Sequence, residues 1–302
     1  MTSAPKPFLK WVGGKAHIRD SMIDLFFPRI IKGNYYEPFL GGGAILLGFL
    51  HQVDKGIIVC QGDIVASDVN ADLIHCWHMV QKQPKHLVKC LREWSRIYTH
   101  LLDDQARETF YYEKRAAYNA IKSRPQKSIL HAVYFMFLNR TSYRGLYREN
   151  MRTGAFNVPF GHDTAFTHRP LFDEKNIYHV SRLIQNVHFS VSSFQEILNN
   201  KMLSPKDFYY FDPPYYPLKC DSFVRYTRQG FSHETHVYFF SLLKNMSRLG
   251  ALFIVHNSDC PFIRDQCSFM QWIKIKNKQN ILYRGQDVTE LIGLSRAMIK
   301  KK

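Results

Sequence analysis

Tyr209-Tyr210-Phe211-Asp212-Pro213-Pro214-Tyr215-Tyr216 is an aromatic run that ends in an acid, two prolines and two tyrosines. Residues Asp207 to Phe211, bracketed by Pro205 and Pro213, read as a short buried strand. The two prolines fix φ and remove two backbone donors, which holds the carbonyls of Asp212 and Pro213 in place. A carboxylate, a fixed carbonyl and an aromatic face suit an exocyclic amino group on a flat base. Such an amine donates to the two oxygens while Tyr215 stacks on the ring. Alone, the same residues would serve as a strand and a proline turn with Asp212 as a cap. A glycine-rich stretch elsewhere in the chain favours the site.

The chain of 302 residues is long enough for one large domain or two small ones, and 45% of it is hydrophobic and 15% aromatic. No apolar run approaches the roughly 20 residues that cross a membrane, and the first residues carry no secretory signal. The six cysteines (Cys60, Cys76, Cys90, Cys220, Cys260, Cys267) form no CxxC pair, so neither a metal centre nor a disulfide frame is expected. The cysteines are read as reduced, in an intracellular, cytoplasmic protein. The net charge of +16 fits a polyanion, most simply nucleic acid, with an anionic membrane the weaker partner.

Outward from the central stretch, Tyr35-Tyr36-Glu37-Pro38-Phe39-Leu40-Gly41-Gly42-Gly43, followed by the apolar residues Ala44 to Leu50, reads as strand, glycine turn and helix. Glycines there admit a ligand close to the backbone and begin a helix whose N-terminus faces it. The GxGxxG dinucleotide spacing is absent. Gly13-Gly14-Lys15 is not a P-loop, because Ala16 stands where Ser or Thr is required and the upstream glycine is missing. A second strand, Asp63 to Ser67, ends at Asp68, an acid suited to ribose hydroxyls or to capping the helix that follows.

From about Leu73 to Asn139 the periodicity is helical, with breaks at Pro84 and Pro125 and with Met136 in the core. The block closes on Asn139 to Gly161, a hairpin-like loop in which Arg140, Arg144, Arg148 and Arg152 interleave with aromatics and glycines. Arginine there can grip phosphate or guanine, and tyrosine can wedge between bases. A solvated charged loop is the alternative. Afterwards an α/β rhythm resumes: a helix near Asp173 to Gln185, a strand at Val187 to Val191, and a short helix to Asn200 opened by a Ser193–Glu196 capping box. The central strand comes next, then a helix from about Ser232 to Arg248, a strand at Ala251 to Val255, and two further strands within Gln271 to Leu294. This alternation predicts a largely parallel sheet with helices on both faces.

Phe8 to Lys15, Glu37 to Gly43, Asp68 to Leu73, the Leu138 to Gly161 loop and Asp212-Pro213-Pro214-Tyr215 together resemble the Dam-type DNA adenine-N6 methyltransferases, in that family's order and over most of the chain. The resemblance implies an α/β fold: a Rossmann-like methyltransferase sheet with an inserted helical DNA-recognition domain. The corresponding divisions are 1–72 (first catalytic part, cofactor-binding), 73–170 (recognition) and 171–302 (second catalytic part). It implies S-adenosylmethionine as cofactor, held by Trp11, Lys15, Phe39, Gly41, Gly43, Asp68 and Asp212. Asp212, Pro213, Pro214 and Tyr215 become the catalytic residues. The DNA contacts become Arg140, Tyr143 (intercalating), Arg144, Leu146, Arg148 (reading guanine), Asn157 and Pro159, at a GATC-like site in double-stranded DNA. Arg144 stands where the family often has asparagine, and His256-Asn257-Ser258-Asp259 matches its segment only loosely.

On this reading adenine leaves the helix to reach the pocket, and the amine is held by Asp212 and the Pro213 carbonyl. No Pro-Cys dipeptide offers a cytosine-C5 nucleophile. Methylation of cytosine N4 or of RNA, and a catalytically silent DNA-binding module, are the competing functions. No metal, membrane or obligate protein partner is expected. A monomer is expected.

Overall fold

The computed structural model describes residues 3–162, 170–199, 203–217, 231–277 and 288–299. Cys220 lies outside these, as does the end of the short helix expected to reach Asn200. The chain divides into two units. One comprises Met1–Phe27, Gly41–Lys55 and Asn70–Phe189; the other comprises Pro28–Leu40, Gly56–Val69 and Ser190–Lys302.

The first unit is helical: α1 (Arg19–Phe26), α2 (Ala44–Asp54), α3 (Ala71–Lys82), α4 (Pro84–Thr99), α5 (Asp104–Lys122), α6 (Ile129–Thr141) and α7 (Glu174–Leu183). Side chains at the starts explain where they begin. Asn70 accepts from the N–H groups of Asp72 and Leu73, Asp103 from Ala106, and Asp173 from Asn176. Pro84 opens α4, a position that needs no N–H donor. The cap of α3 is therefore Asn70 and not Asp68, the sequence alternative. Asp68 ends a strand and lies too early in the chain to reach the first turn. Met136, Phe135 and Phe137 are buried on α6, as the periodicity predicts.

The strands, with four further helices, make the second unit. They are β1 (Ile30–Ile31), β2 (Tyr35–Glu37), β3 (Val59–Cys60), β4 (Ile64–Asp68), β5 (Val187–Val191, which enters the unit at Ser190), β6 (Phe208–Phe211), β7 (Leu252–Ser258), β8 (Gln271–Asn277) and β9 (Val288–Leu294). The helices are α8 (Phe194–Asn199), α9 (His233–Arg248), α10 (Pro261–Gln266) and α11 (Arg296–Ile299). Among the described residues β1 and β3 pair alone, and a seven-stranded sheet has the order β5-β4-β2-β6-β7-β9-β8. The pairs β2–β4, β2–β6 and β6–β7 are parallel, and β7–β9 and β8–β9 antiparallel. This is a Rossmann-like arrangement. β6 lies centrally with all four residues buried, which explains why its sequence is a continuous aromatic run and not an alternating one.

One side of the sheet (Tyr36, Tyr209, Phe211, Phe253, Val255, Leu291) packs with Phe194 and Leu198 of α8 and Phe239, Phe240, Leu243 and Met246 of α9. Tyr36 and Tyr209 stack with ring centroids 4.8 Å apart, and Phe211 meets Phe239 edge-on at 5.4 Å. Burying a phenylalanine of this kind contributes on the order of 2–3 kcal/mol, so this cluster anchors the strand that carries the motif. β7 runs three residues beyond the expected end at Val255, through His256, Asn257 and Ser258. The polar side chains hid that extension, because a strand end buried against a turn need not be apolar.

Candidate active site

Ligands of open α/β sheets sit beyond the carboxyl ends of the parallel strands. In the strand-containing unit three neighbouring strands end on expected site residues: β4 on Asp68, β2 just before Phe39, and β6 just before Asp212. The N–H of Leu40 donates to Ser67 O at 3.0 Å, keeping the β2 and β4 ends side by side. Phe39 packs against Phe194 at 5.5 Å and Phe239 at 5.8 Å, so its ring joins the aromatic core where that core meets the strand ends.

Three side chains, none of them assigned from the sequence, hold the segment after β6. The Nε2 atom of His236 (α9) lies 3.1 Å from Pro214 O, and its Nδ1 atom lies 2.9 Å from Ser232 O. Asn257 Oδ1 accepts from the Tyr216 N–H at 2.9 Å, and Ser258 Oγ donates to Tyr216 O at 2.7 Å. Asn257 and Ser258 reach the segment because β7 extends past Val255. Burial drives the His236 ring below its ordinary pKa, against the raising effect of the two carbonyls. A neutral ring donates to only one carbonyl at a time. Below Tyr216, the Phe262 ring stacks at 4.2 Å. Pro214 O and both backbone groups of Tyr216 are thus engaged by buried side chains.

Tyr215 is held differently. Its hydroxyl donates to Glu290 Oε2 of β9 at 3.2 Å, and Glu290 is only 5% exposed. Burial, then the Asp212 and Glu290 carboxylates, push the Tyr215 hydroxyl well above its usual pKa, so it stays a neutral donor. The Tyr210 hydroxyl is raised by burial and by the same carboxylates with Glu37. Glu37, itself buried, accepts from Tyr35 at 2.6 Å. Glu37 ends β2 and Asp68 ends β4, while Asp212 directly follows β6.

In the helical unit, Trp11 lies over the glycine turn. A Cβ on Gly41 would come 2.8 Å from Trp11 Cδ1, and one on Gly42 3.1 Å from Trp11 Cβ. Gly41 and Gly43 also have φ of +49° and +66°. Glycine is thus favoured by backbone conformation at Gly41 and Gly43 and by close packing at Gly41, while Gly42 sits tightly against Trp11. Gly43 is the N-cap of α2 with no side-chain cap, which leaves donors of the first turn to a ligand or water. Trp11 stacks in turn on Tyr147 at 5.8 Å. Lys15 is buried and donates to Gly13 O at 2.7 Å.

The basic loop forms the expected hairpin, with bridges Ser142↔Phe160 and Glu149↔Phe156. The Tyr143 N–H donates to Pro159 O at 2.9 Å, and the Tyr143 ring is 44% exposed. Arg144, the only non-glycine residue with positive φ among those described (+55°), lies over the Tyr143 ring at 5.1 Å. Arg148 is exposed, and its Nε donates to Asn157 Oδ1 at 2.8 Å. Pro159 is exposed, Leu146 half-buried, and Arg140 half-buried on α6.

Comparison with known proteins bears on this geometry. The sequence profile described as D12 class N6 adenine-specific DNA methyltransferase matches residues 11–281. The chain is 36% identical over 259 residues to the type II methyltransferase M.MjaIII of Methanocaldococcus jannaschii, covering 84% of this chain and 84% of that relative. It is 29% identical over 294 residues to a DNA adenine methylase of Salmonella typhi and 28% identical over 294 residues to one of Escherichia coli, each match covering 96% of this chain and 95% of the relative. No helix among the described residues is long and apolar enough to cross a membrane.

Proposed function

Because the chain belongs to the D12 class of N6 adenine-specific DNA methyltransferases, we propose that it methylates N6 of an adenine turned out of duplex DNA, at a GATC-like site, with S-adenosylmethionine as donor. The observation that carries the proposal is the fixed Asp212-Pro213-Pro214-Tyr215 turn at the carboxyl end of β6, amid Glu37, Glu290 and the Asp68 strand end. S-adenosylmethionine supplies an electrophilic methyl on a cationic sulfonium, and the acidic strand ends suit that charge.

Asp68, at a strand end, offers its carboxylate to ribose hydroxyls, and Phe39 offers an apolar face beside it. Trp11, the Gly41 and Gly43 turn, the uncapped start of α2 and Lys15 offer an aromatic surface and polar donors to the same class of molecule. Asp212 Oδ accepts one amine hydrogen of the flipped adenine and the Pro213 carbonyl the other. Both bonds strengthen as nitrogen becomes tetrahedral and its lone pair leaves the ring. The Asp212 carboxylate is the acceptor for the proton that nitrogen gives up. Tyr215, its hydroxyl tied to Glu290, presents its ring to the base.

We assign recognition to the helical segment 73–170. Its hairpin offers Tyr143 as a wedge, Leu146 and Pro159 as apolar base contacts, and Arg148, with Arg140, Arg144 and Asn157, as polar ones. The protein is proposed to act as a monomer.

The test is incubation of duplex DNA with the protein and S-adenosylmethionine, followed by nucleoside mass spectrometry and methylation-aware sequencing. N6-methyladenine within GATC-like sites is expected; N4-methylcytosine without N6-methyladenine overturns the reading.

A further inference from the structure

Four side chains of α5 (Tyr111, Arg115, Asn119 and Lys122) recur at helical spacing and bond to the returning arm of the hairpin. Tyr111 Oη donates to Val158 O at 2.8 Å, and Arg115 Nη1 to the same oxygen at 3.1 Å. Asn119 makes two bonds to one residue: its Nδ2 donates to Phe156 O at 3.0 Å, and its Oδ1 accepts from the Phe156 N–H at 2.8 Å. Lys122 Nζ donates to Gly154 O at 3.2 Å and to Glu149 Oε1 at 2.6 Å. The residues between these bond to the other arm. Asn150 N–H donates to Ala155 O at 2.8 Å, and Asn157 N–H to Arg148 O at 3.1 Å.

The returning arm is thus bonded on both edges, by the first arm of the hairpin on one side and by helix side chains on the other. Asn119 is the member that reproduces a full strand partner, giving a donor and an acceptor to the same residue. Alternation then decides which side chains face out. Phe156, Val158 and Phe160 are buried, while Pro159 is exposed and Asn157 half-buried. A slip of one residue would turn Asn157 and Pro159 inward and expose the apolar set. Asn157 in turn accepts from Arg148 Nε. That bond leaves the aim of Arg148 dependent on register, while a bidentate contact to guanine O6 and N7 can be made by the terminal nitrogens.

We infer that Asn119 is a specificity-positioning residue, which sets the aim of Arg148 through the backbone of Phe156 and the amide of Asn157. The inference rests on the reading of this hairpin as the element that reads duplex DNA. It assigns Asn119 no contact with DNA or cofactor, and it makes α5 the template for the reading edge.

The experiment uses the full-length protein and compares kcat/KM on a duplex carrying the preferred site with that on the same duplex with one guanine replaced. Asn119→Ala should lower this discrimination about tenfold, with salt-dependent binding to non-specific duplex unchanged. Asn119→Gln, which keeps the amide, should recover part of the loss. Tyr111→Phe removes one hydroxyl and should lower discrimination a fewfold. Discrimination within about twofold of the unaltered protein in a folded Asn119→Ala variant overturns the inference. Should that variant not fold, unchanged discrimination in both Asn119→Gln and Tyr111→Phe overturns it instead. An unaltered protein that methylates adenine with no site preference overturns the reading of the hairpin as well, a failure visible before any substitution is made.

Discussion

The Asp212-Pro213-Pro214-Tyr215 turn and the Arg148 hairpin are both short irregular segments that must be held still, and they are held in opposite ways. The turn has prolines that restrict it from within, and buried groups that lock it from a helix and a strand of the core: His236, Asn257 and Ser258. The hairpin has exposed arginines and a residue in the left-handed region. It borrows its shape from α5. A reacting amine needs one geometry within fractions of an ångström, so a rigid, desolvated clamp serves it. Reading a base sequence needs side chains that stay solvated until DNA arrives, so only the backbone beneath them can be fixed. Damage to the turn should therefore remove rate, and damage to the hairpin should remove discrimination.

The strongest attempt to break that division is Asp212→Ala. Methyl transfer should fall by at least about a thousandfold while duplex affinity holds, measured with labelled donor and by titration of DNA. Retained turnover would remove Asp212 from the chemistry. Next, Arg148→Ala should relax choice at one guanine by about 1–3 kcal/mol with kcat on the best site little changed. Equal weakening on every sequence would make Arg148 a phosphate contact.

Smaller is Asn257→Ala, which frees the Tyr216 N–H. It should lower kcat about tenfold while leaving site choice intact, and a loss of discrimination instead would breach the comparison from the other side. Smallest is Arg144→Gly. An L side chain at φ +55° is strained by roughly 1 kcal/mol or more. Stability measured by denaturant should therefore hold or rise by up to about 1 kcal/mol, offset in part by the greater freedom of glycine in the unfolded chain.

Local chemistry made much of the fold readable in advance. The aromatic strand before Asp212, the Ser193–Glu196 box and the helix that begins near Ser232 are all present, because each depends on residues within a turn of one another. The glycine turn could be identified as special, but not the reason for it at Gly42, which is the Trp11 side chain 31 positions earlier. The Asp68 cap was misjudged because Asn70, two residues on, has the same capping chemistry and the better position. The clamp on the motif escaped notice altogether. Asn257 lies 41 residues from Tyr216, and Glu290 lies 75 from Tyr215.

By itself, then, the amino-acid order determined most of the elements, their sequence along the chain and the choice of Asp212 to Tyr215 as the proposed reactive set. Backbone conformation and side-chain chemistry are short-range properties of neighbouring residues. Only the tertiary structure decided that His236, Asn257, Ser258 and Glu290 brace that set, and that Asn119 serves the hairpin as a strand would. Hydrogen bonds from side chains to a distant backbone leave no period and no spacing in the sequence, since any carbonyl can accept them wherever the fold brings it within about 3 Å.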